Sequence, residues 1–474
     1  MKICILAEGC YPYVAGGVSS WIQMLIKGMP EHEFVICTIA ANTDQKGKFK
    51  YELPENVVEV RENFLDQFLD EKSTKKVEYR LTKEEKTAVL ELITKDTVNW
   101  EVLFEMFSLG GRYNINDFLV SEAFLEIVME ACKEKYRLTP FNKVFWTIRS
   151  MLLPIFHVLN CEIPEADLYH SVSTGYAGIL GACFQYRTGK PYMITEHGIY
   201  TREREEEIIK ASWVDVHFKR TWIDFFAGMS RAAYERANRI ISLFYGARAF
   251  QIEAGAPEEK CIVIPNGIKL SRFEHTEEIA DDGHPLTVGG VIRVVPIKDL
   301  KTMIYAFDTV KQKVPDARLY LIGPTDENPE YYQECQDLIR NLGCEDVTFT
   351  GRVDVAEWYG KLDILLLSSV SEGQPFAILE GMAARRPYVS TNVGSCRELL
   401  EGNEDEFGKA GEIVPVMNPR LMAKAILKIA GDRNQMRAMA ENGYRRVVKY
   451  YQEEAFLSAY REQYIIFAPE EEKK

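Results

Sequence analysis

Short runs of β-branched and other apolar residues alternate with longer amphipathic stretches along most of the chain. In the first part these runs occupy residues 2–7, 33–40, 166–172, 191–196, 238–243 and 260–264. From about Pro285 the pattern begins again, with apolar runs at 286–294, 317–322, 346–350, 362–368, 387–391 and 411–415 and helical stretches such as 299–313 and 375–385. Strands that alternate with helices are typical of parallel sheets covered by helices on both faces. The sequence therefore predicts an α/β protein built from two successive Rossmann-like units.

Three segments depart from this alternation. Residues 55–160 are charge-rich and have helical periodicity, which predicts a helical insertion in the first unit. Residues 273–284 are polar, acidic and without periodicity, which predicts an exposed linker that acts as a hinge. Residues 433–466 form a long helical pattern broken only by Gly443. This last helix either closes the second unit or crosses back to the first.

The same patterns set the expected domain boundaries. The N-terminal domain is predicted over residues 1–277 and the C-terminal domain over 278–448. Residues 449–474 are predicted to form a terminal helix, and we expect it to cross back to the N-terminal domain. Because parallel sheets bind ligands at the carboxyl ends of their strands, the chemistry is expected on the loops that follow strands.

Composition narrows the range of functions. The chain has 474 residues, 57 Lys and Arg against 71 Asp and Glu, and a formal net charge of −14. This balance argues against an extended basic face for nucleic acid, but it leaves room for a local cationic pocket. The ten cysteines are scattered without metal-ligand spacing, so no metal site is predicted and the thiols fit a reducing cytoplasm. The longest apolar stretch, 144–159, contains Arg149 and Pro154 and is too short to span a bilayer.

Two candidate sites follow strands of the first unit. Gly16 and Gly17 precede a helix, where backbone N–H groups and the helix N-terminus can approach a phosphate. The spacing is not that of a dinucleotide-binding loop, and a bare pair of glycines is more often a tight turn. His197 follows the strand PYMIT and can hydrogen-bond a hydroxyl or polarise a developing charge, although a lone histidine is more often structural.

Two further candidate sites follow strands of the second unit. Arg293 and Lys298 lie after its first strand, where two cations can clamp a diphosphate and stabilise the charge that develops as it leaves. Glu372 lies on a loop after the strand LDILLLS, and Glu380 lies in the helix that follows. Glu380 can chelate the two hydroxyls of a ribose, and Glu372 can reach a sugar. The alternative for Glu380 is an ordinary carboxylate on a helix face.

Taken together, these residues resemble the retaining glycosyltransferases of family four, which have the GT-B fold of two facing Rossmann-like domains. More specifically, the chain resembles the cytosolic polymerising glycosyltransferases of Pel exopolysaccharide systems. The motifs that carry this likeness are EGCYPYVAGGVSSWI (8–22), EHGIYTRERE (196–205), SLFYGAR (242–248), IPNGI (264–268), VVPIKDLKT (294–302) and SEGQPFAILE (371–380). Two departures from the broad family are Gln374-Pro375, in place of an aromatic residue and glycine, and Gly381, in place of alanine. In a helix interior, Gly381 is expected to weaken the helix by about 1 kcal/mol.

The resemblance implies a function and a set of roles. It implies transfer of a hexose from a UDP-sugar, without metal or further cofactor, to a growing polysaccharide or another glycan. His197, Arg293, Lys298 and Glu372 are the implied catalytic residues. The implied donor-binding residues are Gly16, Gly17, Arg293, Lys298, Glu372, Gly373, Gln374, Pro375, Phe376 and Glu380. The implied partners are the donor, the glycan acceptor and a membrane-embedded polysaccharide synthase complex at the inner face of the membrane, and no nucleic acid.

Three other functions compete with this interpretation. A UDP-sugar epimerase of the same fold would need an acid and a base on either side of the sugar. A subunit that binds sugar nucleotide without turnover is disfavoured by the full set of charged candidates. A nicotinamide dehydrogenase is disfavoured because neither unit has the three-glycine loop.

Overall fold

The computed structural model describes residues 1–67, 78–276, 279 and 283–469. The chain packs into two compact units. The first contains Met1–Ser242, Ala247–Val263 and the chain from Tyr460 onward, and the second contains Leu243–Gly246 and Ile264–Ala459. The expected hinge at 273–284 lies partly outside the described residues, as does the expected boundary between residues 277 and 278.

The first unit is built on a seven-stranded parallel sheet of order β3-β2-β1-β4-β5-β6-β7. Its strands are β1 Lys2–Glu8, β2 Glu33–Ala40, β3 Val57–Phe64, β4 Leu168–Ser171, β5 Tyr192–Glu196, β6 Arg239–Ser242 and β7 Cys261–Val263. The helices that follow its strands are α1 Gly17–Lys27, α2 Lys83–Thr94, α3 Trp100–Phe107, α4 Ile115–Phe118, α5 Glu122–Glu134, α6 Phe141–Leu159, α7 Tyr176–Thr188, α8 Tyr200–Lys210, α9 Lys219–Arg236 and α10 Tyr245–Glu253. Apolar side chains of α2 to α9 pack in one core with those of the buried strands.

The segment expected to be a helical insertion begins with a strand instead. β3 pairs with β2 at the edge of the sheet. This strand has no apolar run in the sequence because Glu59, Arg61 and Glu62 occupy the partly exposed edge strand. The helical part of the insertion is α2 to α6, and its aromatic core includes a stacked pair, Phe107 and Phe156, with ring centroids 3.8 Å apart.

The second unit has a six-stranded parallel sheet of order β10-β9-β8-β11-β12-β13. Its strands are β8 Thr287–Val291, β9 Arg318–Ile322, β10 Val347–Gly351, β11 Ile364–Leu367, β12 Tyr388–Thr391 and β13 Gly411–Val414. Its helices are α11 Leu300–Lys311, α12 Pro329–Leu342, α13 Val355–Tyr359, α14 Phe376–Ala383, α15 Cys396–Glu401, α16 Pro419–Ala430 and α17 Arg433–Tyr450. Each of the twelve predicted apolar runs corresponds to a strand, so the predicted α/β class is confirmed.

Both sheets have a point at which the strand order reverses. In the first unit, β1 lies between β2 and β4, and in the second unit β8 lies between β9 and β11. The loops that leave the two central strands at such a point run to opposite sides of the sheet and open a crevice at their carboxyl ends. The loops after β8 and β11 are therefore the favoured place for a ligand of the second unit.

The end of the chain folds into two helices, and the break between them is not at Gly443 as predicted. The second helix is α18 Glu453–Phe467. Gly443 lies inside α17, where a Cβ would be 3.1 Å from Met382 Cγ, so the residue allows close packing. The break falls after Tyr451, whose carbonyl accepts a hydrogen bond of 2.9 Å from Ile268 N. α18 starts in the second unit, and its residues from Tyr460 onward pack in the first.

Gly381 lies inside α14, the helix interior for which a cost of about 1 kcal/mol is expected. A Cβ at this position would be 2.3 Å from Leu365 Cδ1 and 2.5 Å from Tyr388 Cε2. The absent side chain therefore lets α14 sit close to β11 and β12.

Across the part of the chain that the structure describes, the helices fall short of the length and apolar character required to cross a lipid bilayer.

Candidate active site

Lys298 and Glu372 come together at the point of strand reversal in the second sheet. Lys298 ends a short 3₁₀ turn after β8, and Glu372 lies on the loop after β11. Lys298 Nζ lies 2.5 Å from Glu372 Oε1, with 18% and 11% of the two side chains exposed. A partly buried ion pair of this kind holds an ammonium group at the mouth of the crevice, where an anion can meet it.

The loops after β8, β11 and β12 are tied together by backbone and hydroxyl hydrogen bonds. Val370 N donates to Ile297 O at 2.9 Å. Ser368 Oγ donates to Lys298 O at 2.8 Å, and Thr391 Oγ1 donates to Ser369 O at 2.7 Å. These hydrogen bonds fix the position of the backbone segment that contains Lys298.

Sequence reasoning missed Ser369, which is fully buried beside the ion pair. Its hydroxyl donates to Glu372 Oε1 at 2.5 Å. Glu372 Oε1 thus accepts hydrogen bonds from the Ser369 hydroxyl and from the Lys298 ammonium group. The Ser-Ser pair that ends the strand run was visible in the sequence, but nothing in its spacing indicated which acidic residue it would contact.

A turn after β12 packs directly on the Glu372 loop. Gly394 has φ of +50°, and a Cβ there would be 2.2 Å from Gly373 O. Ser395 N donates to the same carbonyl at 2.9 Å. The glycine in the VGS sequence is therefore required both by its backbone conformation and by close approach to Gly373.

The remaining loop residues have structural contacts. Gln374 is buried, and its Oε1 accepts a hydrogen bond of 2.6 Å from Asn266 N in the IPNGI segment. Pro375 caps α14, and Phe376 is its first residue. Gln374 thus fastens the IPNGI segment to the loop that carries Glu372.

Arg293 does not join the Lys298–Glu372 pair. Its Nη1 lies 2.8 Å from Glu327 Oε2, and 46% of the arginine side chain is exposed. The two cations predicted to act as one clamp therefore have separate acidic partners in this structure. Arg293 and Lys298 nevertheless both lie on the loop that follows β8.

Glu380 is held on α14 by two residues that sequence reasoning missed. Tyr359 Oη donates to its Oε2 at 3.1 Å, and Arg272 Nη1 lies 3.9 Å from its Oε1. Burial raises the pKa of Glu380, and its bond to Tyr359 and the charge of Arg272 oppose that change. The carboxylate is thus oriented rather than left on a solvated helix face.

In the first unit, Gly16 and Gly17 stand at the start of α1 in open space. Gly16 is the N-cap residue with φ of 175°, an extended conformation that any residue can adopt. A Cβ on either glycine would meet no atom of the described residues within 4 Å. Neither backbone strain nor packing against the described residues requires glycine at these two positions.

His197 follows β5 and lies edge-on to a buried tryptophan. The ring centroids of His197 and Trp21 are 4.7 Å apart. Its Nε2 is buried and has no hydrogen-bond partner among the residues that the structure describes. Burial lowers the pKa of His197 to about 3, so the ring is neutral at physiological pH and keeps one donor and one acceptor nitrogen.

Next to His197 is a buried histidine that sequence reasoning missed. His170 on β4 hydrogen-bonds Tyr464 Oη through Nδ1 at 2.9 Å and Thr195 Oγ1 through Nε2 at 2.8 Å. Thr195 Oγ1 also lies 3.0 Å from Tyr460 Oη. Burial lowers the pKa of His170 to about 3. The end of α18 is thus hydrogen-bonded to β4 and to β5, the strand that precedes His197.

Two carboxylates at strand ends of the first unit, the buried Glu196 and the partly buried Glu8, were also missed. Glu196 accepts four hydrogen bonds, of 2.6 to 3.1 Å, from Thr174, Tyr200 N, Tyr234 and Gln251. Glu8 accepts from Ser173 Oγ and Ala177 N, both at 3.0 Å. Burial raises the pKa of both groups. They fix the loops after β1, β4 and β5 around the point of strand reversal.

The chain matches two protein families along its length. Residues 1–259 match the family described as "Domain of unknown function (DUF3492)". The chain belongs to the DUF3492 family. Residues 284–432 of this DUF3492 protein match a second family, described as "Glycosyl transferases group 1". With this domain and with glycosyltransferases among its relatives, the DUF3492 protein is a glycosyltransferase.

Similar proteins of known description include several sugar-transferring enzymes. An MMP alpha-(1->4)-mannosyltransferase from Mycolicibacterium hassiacum is 21% identical over 66% of this chain and 74% of its own length. An N-acetyl-alpha-D-glucosaminyl L-malate synthase from Bacillus anthracis is 30% identical over 35% of this chain and 41% of its own length. A D-inositol 3-phosphate glycosyltransferase from Kineococcus radiotolerans is 26% identical over 45% of this chain and 53% of its own length. The chain thus spans about half the length of the second and third relatives.

Solved structures establish the fold. Anabaena HepE in complex with UDP is 16% identical, covers 98% of this chain and 99% of its own, and has a TM-score of 0.62. HepE has also been solved in complex with UDP-glucose, with a TM-score of 0.60. Sucrose-phosphate synthase from Thermosynechococcus elongatus is 17% identical, covers 98% of both chains and has a TM-score of 0.61. The DUF3492 protein has the GT-B fold of two Rossmann-like domains.

Proposed function

We propose that the protein transfers a hexose from a UDP-sugar to a hydroxyl of a glycan acceptor with retention of configuration. The observation that supports this most is the Lys298–Glu372 pair at the strand reversal of the second sheet, with Lys298 Nζ 2.5 Å from Glu372 Oε1. A diphosphate is a fitting ligand for an ammonium group held at the carboxyl ends of parallel strands.

In this proposal the second unit binds the donor. The Lys298 ammonium contacts the diphosphate, and Arg293 on the same loop contributes a second positive charge. Glu380, oriented by Tyr359, accepts hydrogen bonds from the ribose hydroxyls. Glu372 keeps Lys298 in place before the donor binds and faces the sugar afterwards.

The first unit supplies the other contacts. The open start of α1 at Gly16 and Gly17 receives phosphate or acceptor without a side chain in the way. Neutral His197 offers its Nε2, which is unbonded within the described part of the chain, to a hydroxyl of the donor sugar.

Retention is proposed to occur by attack on the same face that the diphosphate leaves. The bond from the sugar C1 to the phosphate oxygen breaks as a bond from C1 to the acceptor oxygen forms, and the acceptor proton passes to the departing phosphate. Lys298 and Arg293 stabilise the negative charge that grows on the diphosphate, so the protein acts by orientation and electrostatics. We expect the reaction to need no metal ion, as the likeness to family four implies.

Glucose as the sugar and exopolysaccharide as the product are supported by the Pel-like motifs. HepE, which shares the fold, has been solved with UDP-glucose. The resemblance also supports a cytoplasmic location and a membrane-embedded polysaccharide synthase complex as partner.

The test is a calorimetric screen of UDP-, GDP- and ADP-sugars, followed by UDP-release kinetics with candidate acceptors and assignment of the product anomer by NMR. We expect tight binding of a UDP-sugar and repeated turnover to a product with the donor's configuration. Isomerised UDP-sugar without acceptor would identify an epimerase instead. Binding without turnover would identify a silent subunit.

A further inference from the structure

A band of exposed apolar side chains lies on the first unit, away from the candidate catalytic residues in sequence. It comes from the start of α6 with the turn before it and from the loop between α8 and α9. Exposure is 98% for Leu138, 66% for Trp213 and 73% for Val216. We call this band the apolar rim, and it consists of Leu138, Phe141, Trp146, Ile209, Trp213 and Val216.

The two segments of the apolar rim are neighbours in space. Lys143 Nζ lies 3.2 Å from Asp215 Oδ2. The rings of Tyr136 and Phe218 are 5.6 Å apart, and Tyr136 Oη lies 2.7 Å from Thr221 Oγ1. The exposed side chains therefore project from one continuous region that is fixed to the core beneath it.

This region is locally basic, although the chain carries a net charge of −14. Residues 133–149 contain five Lys and Arg and a single acidic residue, Glu134. Lys210, Lys219 and Arg220 flank the Trp213 loop, with Asp215 inside it. The acidic residues of α8 precede Ile209 on the two earlier turns of that helix. Lys135, Lys143, Lys210 and Arg220 pair with nearby carboxylates. Residues 133–149 and 208–224 together still hold eight Lys and Arg against three Asp and Glu, so the region around the protruding apolar side chains carries excess positive charge.

We propose that the apolar rim binds the surface of an anionic lipid bilayer. Tryptophan and leucine side chains that protrude singly can enter the headgroup region, while nearby lysines and arginines meet lipid phosphates. Six exposed apolar side chains on two adjoining segments fit a surface that binds a partner. A second copy of the chain would bring the same positive charge against itself in a symmetric contact, so lipid fits the charge better.

This assignment is independent of the donor chemistry, because none of the rim residues belongs to the candidate active site. It goes beyond the proposed function by assigning the first unit a membrane-facing surface. Binding of the first unit to lipid would place the enzyme close to an acceptor that grows at the membrane.

The test is co-sedimentation of the full chain with vesicles. Vesicles of equal parts phosphatidylglycerol and phosphatidylcholine are compared with vesicles of phosphatidylcholine alone. We expect the protein to bind the anionic vesicles and to be released by high salt. The double variant Trp213→Ser/Val216→Ser is expected to lower the partition coefficient by about tenfold or more, because two apolar side chains no longer enter the bilayer.

Met417→Ser is the matched control, since Met417 is 69% exposed but lies in the second unit. It is expected to bind vesicles like the wild type. Thermal unfolding of the variants checks that the fold is kept. Wild type that stays in the supernatant with anionic vesicles, or a double variant that binds equally well, would overturn the proposal. A dimer in light scattering that the double variant dissociates would assign the rim to a second copy and would also overturn it.

Discussion

Lys298 Nζ lies 2.5 Å from Glu372 Oε1, although 73 residues separate the two in sequence. The pair forms because β8 and β11 are adjacent in the sheet at the point where the strand order reverses. Lys298, which follows the first strand of the second unit, and Glu372, which follows the fourth, therefore form an ion pair at one crevice.

The first prediction concerns Lys298. Lys298→Ala is expected to lower kcat by about 100-fold or more, because the developing charge on the diphosphate loses a cation placed to meet it. The measurement is UDP release at saturating donor. Lys301→Ala is the matched control, since Lys301 pairs with Glu334 on an exposed helix face, and it should keep full activity. A Lys298→Ala enzyme with near-normal turnover would show that the diphosphate clamp is wrongly assigned.

The second prediction separates stability from activity at the start of α1. Gly17→Ala adds a Cβ that meets no atom within 4 Å, so the free energy of unfolding should change by no more than about 1 kcal/mol. The added methyl group should nevertheless obstruct a ligand at the helix N-terminus and lower kcat/KM by about tenfold or more. Urea unfolding and steady-state kinetics measure the two effects. Unchanged kinetics would indicate that these glycines face only solvent.

The third prediction concerns Gly381, which has close neighbours where Gly17 has open space. Gly381→Ala improves helix propensity, but its Cβ would be 2.3 Å from Leu365 Cδ1 and 2.5 Å from Tyr388 Cε2. Overpacking of this kind should lower the free energy of unfolding by about 1–3 kcal/mol. Urea unfolding provides the measurement. A stabilised variant would mean that α14 and its sheet move apart easily.

The fourth prediction concerns pH. The pKa of His170 is lowered to about 3 in the folded protein, while an exposed histidine titrates near 6.5. Between these values the unfolded chain binds a proton that the folded chain does not, so stability is complete above about pH 6.5 and falls as the pH decreases toward 3. His170→Gln should reduce the slope of unfolding free energy against pH in this window by up to about 1.4 kcal/mol per pH unit.

The control for this experiment is His217→Gln. His217 is exposed and lies next to Asp215, so its replacement should leave most of the slope in place. If the free energy of unfolding changes with pH equally in His170→Gln and the wild type between pH 6.5 and 4, His170 does not cause the loss of stability in acid.

Much of the fold could be predicted from the sequence because strands buried on both faces appear as apolar runs. β1, β8 and β11 are examples, and their burial explains why each was found. β3 was missed because an edge strand tolerates Glu59, Arg61 and Glu62. The break near Tyr451 was missed because it depends on a backbone contact with Ile268, a residue far away in sequence.

The sequence predicted which residues belong to the candidate site, but it did not predict which side chains contact one another there. Motif spacing indicated Lys298, Glu372 and Glu380, whereas the contacts that orient them come from Ser369, Tyr359 and Arg272. Sequence patterns report local periodicity, and these partners are set by how strands and helices pack. The same reason explains why Arg293 was expected beside Lys298 and instead pairs with Glu327.

The most direct test of the central proposal is a crystal structure of the protein with UDP bound. The proposal predicts that the diphosphate lies within hydrogen-bond distance of Lys298 Nζ and that the ribose hydroxyls contact Glu380. A diphosphate bound elsewhere, with the Lys298–Glu372 pair intact and out of reach, would contradict it.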